Sequence, residues 1–227
     1  GPVIAERSRL NEGKFPASDG DIKNLVEGAM TDAKASAHGI AVYDAATDLH
    51  NRNDALLIDN LRSALSTPEP NGELICHYQP KISAKDELVH SVEALVRWPH
   101  PERGMISPAE FIPVAEETGL INAVGGLMLR RACTDAAQWP DDVHVAVNLS
   151  PLQFRLGNLL SLVTDTLKQS GLPARRLELE ITETLLLEKS SEVLATLHAL
   201  RALGVRISMD DFGTGYSSLS YLKRFRF

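Results

Sequence analysis

The chain is 227 residues long, 44% hydrophobic and 23% charged, an ordinary globular composition with room for one large core or two small ones. Its formal net charge is −7, with no basic run or Arg-rich helix, which argues against broad electrostatic attachment to DNA, RNA or an anionic membrane; a phosphorylated ligand would need local cations from Arg, Lys or a metal. The two cysteines, Cys76 and Cys133, sit in apolar surroundings, give no disulfide framework and point to a reducing cytoplasm. The most apolar stretch, Gly119 to Leu129, is broken by Asn122, Gly125 and Gly126 and is too short to span a bilayer.

In chain order, Asp21 to Ala37 has helical character, His38-Gly39 ends it, and Ile40 to Tyr43 reads as a short strand. A helix follows from Asp54 to Leu65, with Leu57, Leu61 and Leu65 at four-residue spacing. STPEPNG, Ser66 to Gly72, is a linker by composition. Downstream, strand and helix patterns alternate. ELICHYQPKI and ELVHSVEALVRW are strands joined by the polar turn SAKD, which predicts an antiparallel pair. SPAEFIPVAEETG opens with a capping box: Ser107 caps, Pro108 takes the first helical position, Glu110 reaches back, and Gly119 stops the helix. A second helix runs to about Gln138. VHVAVNLS is then a strand, LGNLLSLVTDTLKQSG a helix, LELEITE a strand, SEVLATLHALRALG a helix, and VRISMDDFGTG a strand that runs into a glycine-rich loop. Repeated strand–helix units of this size predict an α/β fold with mainly parallel strands.

SVEALVRW poses a question. Val92, Ala94, Val96 and Trp98 alternate on one face, Ser91, Glu93, Leu95 and Arg97 on the other. Glu93 and Arg97 lie roughly 13 Å apart along such a strand, too far for an ion pair, so each needs a partner from another element. The other strands also turn polar at their C-terminal ends. Asn148 closes VAVN, Glu180 and Glu183 close LELEITE, and Asp210 and Asp211 close ISMDD. In a (β/α) barrel those ends meet on one face, where active sites are built. A strand-end acid taken alone is usually a cap or a surface charge; acids at equivalent places on several strands form a constellation. Glu93, Asn148, Glu180, Asp210 and the adjacent Asp211 cannot all carry charge together unless a cation neutralises them. Hard oxygen donors favour Mg²⁺, Mn²⁺ or Ca²⁺, and the seven histidines show no zinc spacing. Asp210-Asp211 suits a pair of ions ~3.5–4 Å apart, a common arrangement for cleaving phosphate esters. Arg97 could hold a phosphate oxygen.

Taken together, YQP (Tyr78 to Pro80), EALVRW (Glu93 to Trp98), ISPAEFIPVAEETGLI (Ile106 to Ile121), VNLSPLQF (Val147 to Phe154), LELEITET (Leu177 to Thr184) and DDFGTGYSSLSYL (Asp210 to Leu222) resemble the EAL family of cyclic di-GMP phosphodiesterases, in that family's order and spacing. The resemblance covers about Glu73 to Phe227. It implies a modified TIM barrel with an antiparallel first strand, and metal-dependent hydrolysis of cyclic di-GMP to linear pGpG with Mg²⁺ or Mn²⁺ in a two-ion site. By motif it implies Glu93, Asn148, Glu180 and Asp210 as metal ligands, Asp211 on the second ion, and Gln79, Leu95 and Arg97 as ligand contacts. Glu183 would hold the loop containing Asp211, Phe212, Gly213, Thr214 and Gly215, making Glu93, Glu183 and Asp211 the catalytic set. It further implies a homodimer formed through this domain, and a cytoplasmic location, alone or as the cytoplasmic part of a membrane-anchored sensor.

Gly13 to Asp44 resembles the C-terminal part of a GGDEF domain, on Pro16, Gly20, Ala33-Lys34 and Gly39, without the GGDEF signature itself. The implied organisation is a GGDEF-like remnant over 1–48, a connector helix and linker over 49–72, and the N-terminal part of an EAL barrel over 73–227. The chain stops inside what would be the fifth strand–helix unit, whereas a full barrel takes ~250 residues. In the family, the next strand carries an active-site lysine, and a glutamate and a glutamine follow. Hydrolysis is therefore expected of the intact protein, and these residues by themselves are expected to be inactive. The alternative is a silent EAL module that binds cyclic di-GMP or a protein partner as a receptor. Silent members typically lose the EAL glutamate, a metal ligand or the DDFGTG loop, all of which are present here. A bifunctional synthase–phosphodiesterase is a third reading.

Overall fold

The computed structural model describes residues 45–66, 73–155, 158–182, 185 and 191–210, the side chains of 45–53 excepted. The helix and strand expected between Asp21 and Tyr43, the linker at 67–72 and the glycine-rich loop after Asp210 lie outside the described residues. The chain divides into two units, Gly1–Leu57 and Ile58–Phe227. The division falls within helix α1, Ala45–Ser66, which starts nine residues before the helix expected from leucine spacing.

In the second unit the strands are β1 (Ile75–Ile82), β2 (Val89–His100), β3 (Gly104–Ile106), β4 (His144–Leu149), β5 (Leu177–Thr182) and β6 (Arg206–Asp210). They are ordered β1-β2-β4-β5-β6, with β3 off this path on β2. β1 runs antiparallel to β2, and β2, β4, β5 and β6 run parallel. The hairpin and the parallel series are thus as the alternating patterns predict. β3 escaped detection because three residues are too few to show a period; it pairs antiparallel with the far end of β2, Trp98 opposite Ile106.

The helices are α2 (Pro108–Glu117), α3 (Ile121–Ala136), α4 (Pro151–Arg155), α5 (Leu159–Ser170) and α6 (Ser191–Ala202). Ser107 caps α2, its hydroxyl accepting from the Ala109 N–H at 3.3 Å. The reciprocal half of the expected capping box does not form, because the Glu110 carboxylate pairs instead with Arg103, a charged donor that outcompetes a backbone N–H. Gly119 follows the helix end at a φ of +75°, the left-handed conformation that glycine adopts without strain.

Helix α3 lies against β1, β2 and β4, and α6 against β6. Together with α5 they cover the apolar face of the sheet. That face contributes Ala94, Val145, Val147, Leu149, Leu177, Leu179, Ile181 and Ile207, all buried. Leu129, Ala132, Cys133 and Ala136 of α3 complete the same core. Cys133 is buried and Cys76 half-buried, both free; burial pushes their thiols up to about 12 and about 11, so they behave as the small hydrophobes expected of them. Arg176 is buried without a matching buried acid. Its guanidinium donates to the carbonyls of Val143 (2.9 Å), Ala136 (2.7 Å) and Trp139 (3.3 Å), and this ties the α3–β4 connection to the entry of β5. The other face of the sheet carries the polar residues.

Candidate active site

Strand pairing alone places the polar residues in rows. Residues facing one another across a pair share a face, and residues two apart on a strand follow one another along it. Gln79 lies opposite Glu93, and Lys81 opposite Ser91. Glu93 is level with Ala146. Asn148 is level with Glu180, and Glu180 with Ser208. One step further toward the C-terminal ends, Thr182 is level with Asp210. Glu93, Asn148, Glu180 and Asp210 therefore all lie on the polar face, and Leu95 and Arg97 continue it along β2. The YQP motif splits between the faces. Gln79 takes the polar one, whereas Tyr78 turns to the helices, where its hydroxyl donates to Asp135 at 2.5 Å and its ring meets Trp139 edge-on at 4.9 Å.

Side chains bring some of these residues into direct contact. The Asn148 amide nitrogen donates to Glu93 Oε1 at 2.7 Å, so Glu93 finds its partner on the neighbouring strand. Arg97 donates to the Val96 carbonyl at 2.8 Å. Glu180 is buried and pairs with the Lys81 ammonium. Burial pushes the Glu180 carboxyl above its ordinary value; Lys81 pulls it back down, and the charges of Glu93 and Glu178 push it up again. Desolvation opposes the charge on Lys81, but the hydrogen bond to Glu180 and the negative charges of Glu180, Glu93 and Glu178 outweigh it and raise the ammonium above its ordinary value. Three acids thus bear on a single cation.

Among the described residues, no three of the His, Cys, Asp and Glu side chains close to metal-binding distance. Glu93 and Asn148 form one contact and Glu180 and Lys81 a second, while Asp210 stands at the exposed end of β6. Lys81 neutralises Glu180, the most buried of these acids. Glu183, Asp211, Phe212, Gly213, Thr214 and Gly215 lie outside the described residues. Two features nonetheless fit a hard divalent ion. The donors are all oxygens, and Glu180 Oε2 is buried with no hydrogen-bond partner among the described residues, a state that calls for a further ligand.

Two participants on this face were missed by the sequence reading. Lys81 stands two residues beyond Gln79 and Glu178 two before Glu180, so period-two alternation alone places each beside a residue already singled out. A third feature lies just past Asn148. Ser150 Oγ donates to Glu116 of α2 at 2.8 Å, and the Ser150 N–H donates to Gln153 Oε1 at 3.0 Å. The buried Gln153 amide in turn rests against Gly125 of α3. The turn that follows Asn148 at the end of β4 is thereby anchored to two helices.

Residues 58–227 match the model of the EAL domain. The chain belongs to the EAL domain family. Among relatives of this EAL chain, an uncharacterized protein of Sinorhizobium fredii is 50% identical over 214 residues, covering 92% of this chain and 25% of that protein. The bifunctional diguanylate cyclase/cyclic di-GMP phosphodiesterase MucR of Pseudomonas aeruginosa is 40% identical over 203 residues, covering 87% of this chain and 29% of MucR. The chain spans about a quarter of the length of the curated relatives it matches. The solved phosphodiesterase PaMucR in complex with c-di-GMP superimposes with a TM-score of 0.70 at 44% identity, covering 75% of this chain and 69% of that one. The fold is accordingly an α/β arrangement of the TIM-barrel-like EAL kind, built here on a mixed sheet. No helix among the described residues is long and apolar enough to cross a membrane.

Proposed function

We propose that the intact protein is a cyclic di-GMP phosphodiesterase that opens one phosphodiester of the cyclic dinucleotide to give linear pGpG, with Mg²⁺ or Mn²⁺ as cofactor. The observation that carries this reading is the pairing of Glu93 with Asn148 on the same sheet face as a buried Glu180 whose second oxygen lacks a partner. Relatives named as cyclic di-GMP phosphodiesterases support it. Glu93, Asn148, Glu180 and Asp210 would hold the first ion, with Asp211 serving the second. Bound there, divalent ions supply an activated water and offset the charge that builds on the phosphoryl oxygens. The chain's other residues bind and orient. Gln79, opposite Glu93, and Leu95, two residues along β2, would bear on the ligand. Arg97 would pair its guanidinium with a phosphate oxygen. Glu183 would set the loop through Asp211, Phe212, Gly213, Thr214 and Gly215, which would also form part of a homodimer contact.

The test is to assay the full-length protein with each ion in turn and follow pGpG by chromatography. Turnover is expected with Mg²⁺ or Mn²⁺ and is expected to be suppressed by Ca²⁺. Mg²⁺ holds oxygens at ~2.0–2.1 Å in octahedral geometry, whereas Ca²⁺ prefers ~2.3–2.6 Å and more ligands, which misplaces the water. Undiminished turnover after exhaustive chelation, or equal turnover with Ca²⁺, overturns the metal reading. Binding of cyclic di-GMP without any hydrolysis makes the protein a receptor.

A further inference from the structure

Lys81 is the cation to which the buried acid of this face turns. Its side chain starts on β1, on the row of Ser91, and reaches across the polar face to Glu180, 99 residues away in sequence. Glu180 is only 6% exposed, whereas Lys81 is 38% exposed, so the ammonium is the partner with the more open path back to water. The charges of Glu93 and Glu178 bear on the same ammonium. A buried carboxylate with two acids nearby is costly in the absence of a cation, and Lys81 meets that cost.

From this geometry we infer that Lys81 is a resident counter-cation, one that holds Glu180 while the acidic face has no metal and is displaced toward solvent when a divalent ion binds. The inference rests on the metal reading of Glu180 given above. Lys81 is then a positioning residue with a double effect. It keeps Glu180 on the strand-end face, ready to act as a ligand, and it competes with the ion for that ligand. Two cations cannot share Glu180, Glu93 and Glu178 at close range without repelling one another, so any metal affinity observed is the intrinsic affinity reduced by the work of expelling the ammonium.

The prediction is a gain of binding, which a merely structural lysine would not give. Mn²⁺ titrated calorimetrically into full-length Lys81→Met at fixed pH should bind about tenfold more tightly than into the unmodified protein; the partial exposure of Lys81 keeps the gain far below that of a fully buried pair. Lys81→Gln, which retains a hydrogen-bond donor without charge and is the gentler change for folding, should shift in the same direction. Lys81→Arg, which keeps the charge, should stay near the unmodified value. In thermal melts, the rise on adding Mn²⁺ should be larger for Lys81→Met and Lys81→Gln than for the unmodified protein. Unchanged or weaker Mn²⁺ binding in both neutral variants, with normal binding by the unmodified protein, overturns the role of Lys81 alone. Failure of the unmodified protein to bind Mn²⁺ overturns the metal reading and this inference with it.

Discussion

The two faces of the sheet come from the same strands and differ by a single residue step. On β5, Leu177, Leu179 and Ile181 are buried in the helix-covered core, while Glu178 and Glu180 share the opposite face with Thr182. On β4, Val145 and Val147 go one way and Ala146 and Asn148 the other. β2 divides the EAL motif itself: Ala94 joins the core and Glu93 meets Asn148. Parallel strands covered on both faces read as continuous apolar runs; here one face is apolar and the other acidic. The fold is therefore carried by one set of residues and the candidate chemistry by its immediate neighbours, so neighbouring substitutions should have opposite consequences.

The strongest test of that division compares Leu179→Ala with Glu93→Ala. Leu179 is fully buried beneath the helices, and its truncation should cost about 2–5 kcal/mol in a denaturant titration. Glu93→Ala should lower turnover of the full-length protein by roughly 10²–10³-fold, the scale of removing one electrostatic stabiliser, while leaving the melting temperature unchanged or slightly raised. It relieves repulsion on Glu180, and the Asn148 amide it leaves behind is exposed and can turn to water. If Glu93→Ala destabilises the protein as much as Leu179→Ala does, the polar face belongs to the core and the division fails.

A smaller effect should come from the contact that links the two faces. A Cβ on Gly125 would come within 2.3 Å of Gln153 Nε2, and Gln153 is buried and holds Ser150, two residues past Asn148. Gly125→Ala should therefore cost about 1–3 kcal/mol by overpacking and should lower turnover as well, because the turn after Asn148 shifts. The adjacent Gly126→Ala is the control. Its Cβ would meet the flexible tip of Arg130 at 3.3 Å, which can move, and alanine favours the helix by up to about 1 kcal/mol. Equal penalties at the two glycines would show that helix α3 itself, and not its grip on Gln153, is being disturbed.

Local periodicity accounts for what was readable in advance. The alternation in SVEALVRW assigned both faces of β2, and the turn-bounded runs gave the β1–β2 hairpin because each signal is contained in a dozen residues. Contacts that depend on how distant strands come together were not readable in this way. Lys81 follows Gln79 by two residues and so belongs to the same face, but nothing local says that it reaches a glutamate three strands away. Nothing local in PARRL says that Arg176 is buried among the carbonyls of Ala136, Trp139 and Val143. Glu110 illustrates a local rule overridden from a distance: its spacing from Ser107 fits a capping box, but Arg103, across the β3 turn, takes the carboxylate. Five residues, in α4, and three, in β3, are too few for any period to appear.

The smallest predicted effect lies at the hairpin turn, on neither face. Asp86 Oδ2 meets His90 Nε2 at 2.9 Å, and Oδ1 accepts the Leu88 N–H at 3.2 Å. The hydrogen bond from His90, then those from Ser83 and Leu88, hold the Asp86 carboxyl down from 3.8 to about 2. A carboxyl depressed in the folded state stabilises it above the unfolded value and loses that contribution as pH falls through the folded one. The difference in melting temperature between the unmodified protein and Asp86→Asn should thus shrink as pH falls from 3.8 to about 2. The group is exposed, so added salt should shrink the difference further, and turnover at neutral pH should be untouched because the turn carries no residue of the acidic face. A large, salt-independent difference that persists at pH 2 would show that Asp86 acts through the shape of the turn and not through its charge.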